Sequence, residues 1–316
     1  MSIPEEAIGI YDFSYAPYAL GDVLTWQVNL MCEAYERKAT HVSSILIADQ
    51  YVPSNAFQKH ITSVNYKFYL NNLLDAFLCT NPLDSIKIFN CRYAFNDFLA
   101  LKTTKAAWPT FDGHLKKCLD YSSHKKVNRF YREHGFVPEL QIPLGYKDWV
   151  QQFFKDHFSQ KYVVCVNIRQ ARLKKEPQSL YRDSSADVWF DFMQYIHKIN
   201  QDVVFVLVGG YEEIEDRFSS LPNVIVVREI GLNLAHELAI LKTSNLFMGT
   251  SSGFAAMATF SGTPYVITNY DPNAAPETEI EIGAKQYPFA KKNQILDWGT
   301  EKLETLTTLF LEIYNA

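Results

Sequence analysis

A short segment of small and hydroxylated residues at positions 250–253 is the strongest candidate for ligand chemistry in this 316-residue chain. It follows an apolar run at 245–249 and opens a small-residue stretch at 252–261 that predicts a helix. A helix start has unpaired backbone N–H groups and the positive end of the dipole, and both attract anions. Glycine and serine there let a phosphate approach the backbone. The simpler interpretation is that Ser251 or Ser252 only caps the helix.

The flanking sequence predicts the elements that would position this segment. Apolar, β-branched runs predict strands at 162–168, 203–208, 223–227, 245–249 and 264–268. Between them, amphipathic stretches predict helices at 186–199, 211–218, 234–244 and 252–261. Strands that alternate with helices favour βαβ units and a parallel sheet covered on both faces. In such a sheet the 250–253 segment lies at the carboxyl edge, where ligands bind.

The first half of the chain follows a looser version of the same plan. It predicts strands at 8–13, 43–48 and 85–90, and helices at 21–38 and 69–79. A basic helical patch at 124–134 could lie near an anionic lipid or acceptor, or be a solvated face. Two prolines and a glycine at 137–146 predict a domain boundary, so we expect domains 1–145 and 146–316. The final amphipathic helix, at 301–314, could pack on either domain.

Composition limits the class of partner. Asp and Glu number 35 against 30 Lys and Arg, for a net charge of -5, which argues against DNA or RNA as the main partner. Five cysteines without CxxC spacing predict reduced thiols in a cytoplasmic protein. We expect no signal peptide, because residues 1–14 lack a basic region and a long apolar run. Peripheral contact with the inner face of a membrane stays open.

Residues 234–269 resemble the carboxyl-terminal domain of GT-B glycosyltransferases, in the style of the bacterial heptosyltransferase and fucosyltransferase-like families. The matching features are a helix with ELAIL at 237–241, a strand that ends in Gly249, SSG at 251–253 and GTP at 262–264. The heptosyltransferase pattern has an Asp before its Thr/Ser-Gly and a His three residues after that glycine. This chain has Ser251 and Ala256 there, so the resemblance does not extend to an ADP-heptose donor.

A second resemblance, to the fucosyltransferase-like superfamily, involves arginines. In that superfamily a strand ends in H-x-R-R and the arginine faces the donor phosphates, whereas this chain has Asn167-Ile168-Arg169. Arg172 follows, and Arg182-Asp183 matches an R-D/N pair of bacterial glycosyltransferases. An arginine at a strand end can bind a phosphate bidentately. The alternative for each arginine is an ion pair between domains, and Asp183 could be a helix cap, an arginine partner or a catalytic group.

The third motif is Gly21-Asp22 at a helix start, which resembles the GD motif near the amino terminus of several GT-B enzymes. In heptosyltransferases the matching Asp is the proposed general base, which implies that role for Asp22. An inverting transfer needs a base to remove the proton of the acceptor hydroxyl. The alternative is that Asp22 only caps its helix, because Asp favours helix N-termini.

Other patterns exclude competing chemistry. No dinucleotide-binding or P-loop motif occurs, no Asp-x-Asp motif suggests a metal-dependent transferase, and no His/Cys cluster has zinc spacing. We therefore expect no cofactor and no metal. Gly21, Asn167, Asp183, Gly209 and Asn269 are further candidates that could line the site.

The resemblance as a whole implies a GT-B fold: two Rossmann-like α/β domains with parallel sheets that face each other across a cleft. It implies metal-independent, inverting transfer from a nucleotide-sugar donor to a bacterial surface glycan or lipid-linked acceptor. The predicted donor-binding residues are Arg169, Arg172, Arg182, Thr250, Ser251, Ser252 and Gly253, with Asp22 as the base. Two alternatives stay open: a nucleotide-sugar 2-epimerase or hydrolase on the same scaffold, and a non-catalytic sugar-binding descendant.

Overall fold

The chain forms two compact units in a computed structural model that describes residues 6–48, 58, 60–80, 82–100, 107–109, 123–170, 182–210, 213–274 and 278–316. The amino-terminal unit comprises Met1–Pro143 and the carboxyl-terminal unit Leu144–Ala316. Each unit contains one parallel β-sheet with helices packed against it.

The sheet of the amino-terminal unit has the strand order β3-β2-β1-β4, and all its pairings are parallel. The strands are β1 (Glu6–Asp12), β2 (His41–Ile47), β3 (Ser85–Phe89) and β4 (Ala107–Trp108). Six of the seven residues in each of β1 and β2 are buried. Strands buried on both faces read as continuous apolar runs, which is why the sequence revealed them.

Four α-helices belong to the described part of this unit: α1 (Leu20–Glu36), α2 (Tyr66–Asn71), α3 (Arg92–Ala100) and α4 (His124–His134). Helix α1 packs on β1 and β2 and brings Trp26 into ring contact with Tyr11 and Phe77, at centroid distances of 5.3 and 5.7 Å. Such edge-to-face contacts stabilise beyond the buried area alone. This aromatic cluster therefore fixes the start of α1 against the end of β1.

The sheet of the carboxyl-terminal unit has six parallel strands in the order β10-β9-β8-β5-β6-β7. They are β5 (Tyr162–Asn167), β6 (Val203–Leu207), β7 (Val224–Val226), β8 (Leu246–Thr250), β9 (Tyr265–Thr268) and β10 (Gln294–Leu296). The helices are α5 (Lys147–His157), α6 (Ala186–Ile199), α7 (Leu234–Thr243), α8 (Gly253–Ser261) and α9 (Leu303–Tyr314). The chain builds outward from β5 to β7, returns to β8 beside β5, and then builds the other way.

The core of this unit lies on both faces of its sheet, because alternate residues of each strand point to opposite faces. Val164, Val166 and Met248 share one cluster with Trp189 of α6 and Phe310 of α9, so these helices cover one face. Helix α8 packs on β8 and β9 and against α7, which in turn contacts α5. Because alternate strand residues point to opposite faces, these three helices cover the other side.

Several predicted elements differ from the structure. The helix predicted at 211–218 is wrong in its described part, where only a 3₁₀ turn at Asp216–Ser220 forms. Glu213 reaches back to the Gly210 N–H (3.2 Å), which favours a turn over a helix. The helix predicted at 69–79 is split into α2 and a 3₁₀ helix, Leu74–Cys79, at the Asn71-Asn72 pair. Asparagine competes with helical hydrogen bonds.

The two short edge strands β4 and β10 escaped prediction because neither carries an apolar run of useful length. Helix α9 packs against α6 within the carboxyl-terminal unit. Within the described ranges, no helix combines the length and apolar character that crossing a bilayer requires.

Candidate functional site

The carboxyl ends of β5 and β8 form the point where the sheet reverses its winding. Asn167, the last residue of β5, is in register with Gly249 of β8. A Cβ at position 249 would lie 2.6 Å from the backbone oxygen of Asn167, so only glycine fits. Ligands of open α/β sheets bind at such a switch point, because the connections on its two sides diverge and leave a crevice.

The segment predicted from sequence, residues 250–253, lies at this edge. Ser252 is the N-cap of α8, and its hydroxyl oxygen accepts from the N–H of Ala255 (3.4 Å). Thr250 is fully buried, and its hydroxyl donates to the Arg182 carbonyl (2.7 Å). Ser251 and Gly253 are half-buried. The hydroxyls of Thr250 and Ser252 are thus structural, and the backbone amides of the first turn of α8 are the groups suited to an anion.

Arg169 follows the end of β5 and pairs with Asp183. Its guanidinium Nη1 donates to the Asp183 carboxylate, and both side chains are largely buried, at 14% and 23% exposure. The backbones also meet, since the N–H of Ser184 donates to the Arg169 carbonyl (2.8 Å). Asp183 is therefore a partner that orients Arg169, and the N-cap of the following helix is Ser185.

Arg182 brings the segment before α6 against the 250–253 segment. Its Nη1 donates to the Ser251 carbonyl (3.4 Å), and its Nε lies 4.0 Å from Asp271 Oδ2. The side chain is 31% exposed, so its charge lies at the surface of the edge while Asp271 beneath it is buried. The guanidinium of Arg182 thus lies beside the start of α8.

Asn269 follows β9 at the same edge. It has a positive φ of 45°, a conformation that asparagine tolerates better than most residues. Its Nδ2 donates to the Asp183 carbonyl (3.3 Å), and its Oδ1 accepts from the Glu301 N–H (3.3 Å). Asn269 therefore ties the arginine-bearing segment to the chain that precedes α9.

Asn167 and Gly209 are also neighbours, but their groups are used internally. The Asn167 side chain is buried and donates to the Val208 carbonyl (2.9 Å), which ties β5 to β6. Gly209 has φ 138°, and a Cβ there would lie 3.0 Å from Asn167 Nδ2. The N–H of Gly209 donates to Glu237 Oε1 (2.9 Å). Asn167 and Gly209 thus fix the course of the backbone at this edge of the sheet.

Glu237, which sequence reasoning used only as part of a motif, is a fully buried carboxylate on α7. Arg228, just after β7, donates to it from Nε (3.1 Å) and Nη2 (2.7 Å). Burial raises the Glu237 pKa to about 7, against the lowering effect of Arg228. The signal available in the sequence was a carboxylate within an otherwise apolar helical face. Its function is to hold Arg228 and Gly209 at the carboxyl edges of β7 and β6.

In the amino-terminal unit, Asp22 lies in the first turn of α1, which begins at Leu20. The N-cap position is Ala19, so the interpretation of Asp22 as the N-cap residue is wrong. Asp22 is half-buried. The carbonyl of Gly21 accepts from the Thr25 hydroxyl (2.9 Å). A carboxylate in the first turn is favoured by the helix dipole, which stabilises its ionised form.

A second buried ion pair, which the sequence did not reveal, lies at the carboxyl end of β1. Asp12 is 2% exposed and accepts from both Nη atoms of Arg92 (2.8 Å each). Arg92 also donates to the Ser14 hydroxyl (2.8 Å). This pair fixes the loop between β1 and α1, on which the position of Asp22 depends.

The basic patch at 124–134 is largely compensated by acidic residues of α1. Lys126 contacts Glu33 (2.7 Å) and Glu36 (3.0 Å), and Arg129 contacts Glu36 (2.9 Å). The interpretation as a solvated, paired helix face therefore fits better than a site for anionic lipid.

Glu36, Glu133 and His134 could hold a metal by proximity, but they are exposed and two of them already pair with cations. Arg172 lies outside the described residues.

Comparison with known proteins places this geometry in a fold class. No protein-family model matches the chain, and no curated protein matches it significantly. Among solved structures it is similar to a glycosyl transferase family 9 protein from Veillonella parvula DSM 2008, at 12% identity and a TM-score of 0.55 over 99% of this chain and 90% of that one. The two parallel-sheet units and this likeness show a GT-B fold.

Two further similarities were found. The Escherichia coli heptosyltransferase WaaC with ADP has 10% identity and a TM-score of 0.50, with 97% of each chain covered. A UDP-GlcNAc 2-epimerase from Neisseria meningitidis bound to UDP-GlcNAc has 13% identity and a TM-score of 0.43, with 98% of this chain and 93% of that one covered. The fold assignment depends on the first two similarities.

Proposed function

We propose that this protein is a glycosyltransferase that transfers a sugar from a nucleotide-sugar donor to a glycan or lipid-linked acceptor, without a metal and with inversion. One observation carries the proposal. Arg182 lies against the first turn of α8, and Arg169 follows the neighbouring strand end, at the switch point of the carboxyl-terminal sheet. This is the combination of cations and helix amides that a diphosphate requires.

The arginines are suited to hold a diphosphate because they are already oriented. Asp183 and Asp271 contact Arg169 and Arg182, respectively. A guanidinium has five N–H donors in a fixed fork, so a carboxylate on one edge sets the direction of the others. In the proposal these two guanidinium groups supply the positive charge that a divalent cation supplies in other transferases. Arg172 stays a predicted third member.

The same groups would favour the transition state over the ground state. As the bond between the anomeric carbon and the diphosphate oxygen breaks, the bonding electrons move to the leaving group. Its negative charge then increases, and oriented guanidinium and amide donors stabilise that increase. Helix-dipole stabilisation alone is modest, about 0.3–1 kcal/mol, so the arginines must contribute most of the effect.

Asp22 of the amino-terminal unit is the proposed base. Its carboxylate would accept the proton of the acceptor hydroxyl while that oxygen forms the new bond to the anomeric carbon. The diphosphate would leave from the opposite face, which inverts the configuration. The half-buried position in the first turn of α1 supports this role, because the carboxylate is held on a rigid element and remains partly accessible to an acceptor hydroxyl.

The experiment that tests the function is a thermal-shift screen with CMP-, GDP-, UDP-, ADP- and dTDP-sugars, followed by a transfer assay with the donor that stabilises most. We expect one nucleotide class to raise the melting temperature of the protein selectively, because a ligand that binds only the folded state stabilises that state. The transfer assay is run with and without a chelator, and activity should persist in both.

Three results would contradict the proposal. Donor consumption at an undiminished rate without acceptor would indicate an epimerase or hydrolase. Binding without transfer across a broad acceptor panel would indicate a non-catalytic sugar-binding protein. Loss of transfer with chelator and recovery with manganese would contradict the metal-independent mechanism.

A further inference from the structure

Glu301 is a buried carboxylate just before α9, and it lies next to the arginine-bearing segment. Only 4% of the residue is exposed. Its Oε1 accepts from the hydroxyls of Thr268 (2.7 Å) and Ser184 (3.2 Å). Its Oε2 accepts from the backbone N–H of Ser185 (3.1 Å). One side chain thus joins the end of β9 to the start of α6.

The backbone of Glu301 extends the same connection. Its N–H donates to Asn269 Oδ1 (3.3 Å), and Asn269 Nδ2 donates to the Asp183 carbonyl (3.3 Å). Glu301 therefore reaches Asp183 through Asn269, and it reaches Ser184 and Ser185 directly.

These contacts hold three of the four residues in the segment 182–185, namely Asp183, Ser184 and Ser185. Two further hydrogen bonds come from residues at the neighbouring strand ends: the Thr250 hydroxyl donates to the Arg182 carbonyl, and the Ser184 N–H donates to the Arg169 carbonyl. The segment carries Arg182 and also Asp183, the partner of Arg169. Where this segment lies therefore decides where both guanidinium groups point.

A carboxylate suits this location because both of its oxygens accept hydrogen bonds there. The donors to Glu301, which are the hydroxyls of Thr268 and Ser184 and the backbone N–H of Ser185, are all neutral. Within the described ranges no cation pairs with Glu301. Burial raises its pKa, as expected for a carboxyl placed away from water. A glutamine could keep its oxygen at the Ser185 N–H, but its NH₂ group would then face the hydroxyls of Thr268 and Ser184, which donate to Glu301 and would have to rotate to accept. Burying a carboxylate costs free energy, so the presence of Glu301 at this buried position indicates that it serves a purpose.

We infer that Glu301 is a positioning residue for donor binding: it holds residues 182–185 so that Arg182 and Arg169 point at the donor diphosphate. The inference rests on the proposed function, because it assigns a task to the arginines of that site. Glu301 itself would touch neither donor nor acceptor.

The test compares Glu301→Gln with Gln294→Ala. Gln294 is a matched control in the same unit: it is 2% exposed, and its side chain donates to the Thr263 carbonyl (3.0 Å) and accepts from the Lys291 N–H (2.8 Å) at the start of β10. Each variant is titrated with ADP, UDP, GDP, CDP and dTDP by calorimetry. Hydrogen exchange of the peptide that spans 182–185 is measured in parallel.

The inference expects Glu301→Gln to weaken binding of the best nucleoside diphosphate about tenfold or more, since small misplacements of binding groups have large effects. Exchange at 182–185 should rise, and Gln294→Ala should leave both readouts at wild-type values. If Glu301→Gln does not fold, Ser184→Ala removes one of the same contacts and should weaken binding in the same direction.

Wild-type binding by Glu301→Gln would overturn the inference and leave the proposed function standing. Equal weakening in both variants would also overturn it, because the role would then be general stability. Failure of the wild-type protein to bind any of the five nucleotides would overturn the proposed function and the inference together.

Discussion

Asn167 and Gly249 face each other across β5 and β8, and the Asn167 backbone oxygen lies where the Cβ of any other residue at 249 would be. The 2.6 Å separation from that Cβ is far below a normal contact, and the obstacle is backbone, which cannot rotate away. Gly249 thus allows the backbones of the two strand ends to approach each other closely.

Gly249→Ala should therefore destabilise the protein by about 1–3 kcal/mol, the usual range for overpacking a tight site. Urea unfolding measures the change. Gly210→Ala is the matched control at the same edge, since its nearest neighbour would lie 4.0 Å from the new Cβ. Equal stability of the two variants would show that the strand ends have room that the structure does not indicate.

Replacement of either arginine of the proposed donor site should weaken nucleotide binding and leave the fold intact. Arg169→Ala and Arg182→Ala each remove a charge-assisted contact worth about 1.5–3 kcal/mol, so the dissociation constant should rise about 10- to 100-fold. Calorimetry with the stabilising nucleotide measures the change.

Arg217→Ala is the control for these variants. Arg217 also pairs with two carboxylates, Asp187 (2.6 Å) and Glu215 (2.8 Å), on the surface of the same unit. Its loss should leave nucleotide binding unchanged. Wild-type affinity in both arginine variants would remove these residues from the site.

Local patterns in the sequence predicted the strands around the switch point, because each is a short apolar run bounded by turn residues. The position of the 250–253 segment followed from the same patterns. The structure adds where two helices begin: Ser252 is the N-cap of α8, and Asp22 is not the N-cap of α1. Capping depends on where a helix begins to within one residue, which periodicity does not resolve.

The pairings at the site could not be predicted, because they join residues that are distant along the chain. Arg92 and Asp12 are 80 positions apart, and Ser184 and Glu301 are 117 apart. Each is set by which strand ends adjoin in the folded sheet. Even the short-range pair of Arg228 and Glu237 depends on the turn between β7 and α7. Residue type alone does not specify these partners.

Glu237 should make stability depend on pH in an unusual direction. Its folded pKa, about 7, is above the ordinary value of 4.5, so the folded state binds this proton more tightly than the unfolded state. The contribution is therefore complete below about pH 4.5 and declines as the pH rises to about 7. Glu237→Gln removes it, and the stability difference between wild type and variant should change by about 1–3 kcal/mol over that interval.

Chemical denaturation at a series of pH values measures this difference. Glu312→Gln, which changes an exposed carboxyl on α9, is the control and should run parallel to wild type. If Glu237→Gln also runs parallel to wild type, then Arg228 keeps Glu237 ionised in the folded protein throughout this interval.

Asp22→Asn should separate chemistry from binding. The substitution preserves shape but removes the proton acceptor, so transfer should fall about 100-fold or more while donor affinity stays at its wild-type value. Some stability is lost in any case, about 0.3–1 kcal/mol, because a first-turn carboxylate interacts with the helix dipole. Asp148→Asn isolates that effect, since Asp148 occupies the first turn of α5. Turnover by Asp22→Asn that matches turnover by Asp148→Asn would reduce Asp22 to a helix-stabilising residue, and another group would have to accept the proton.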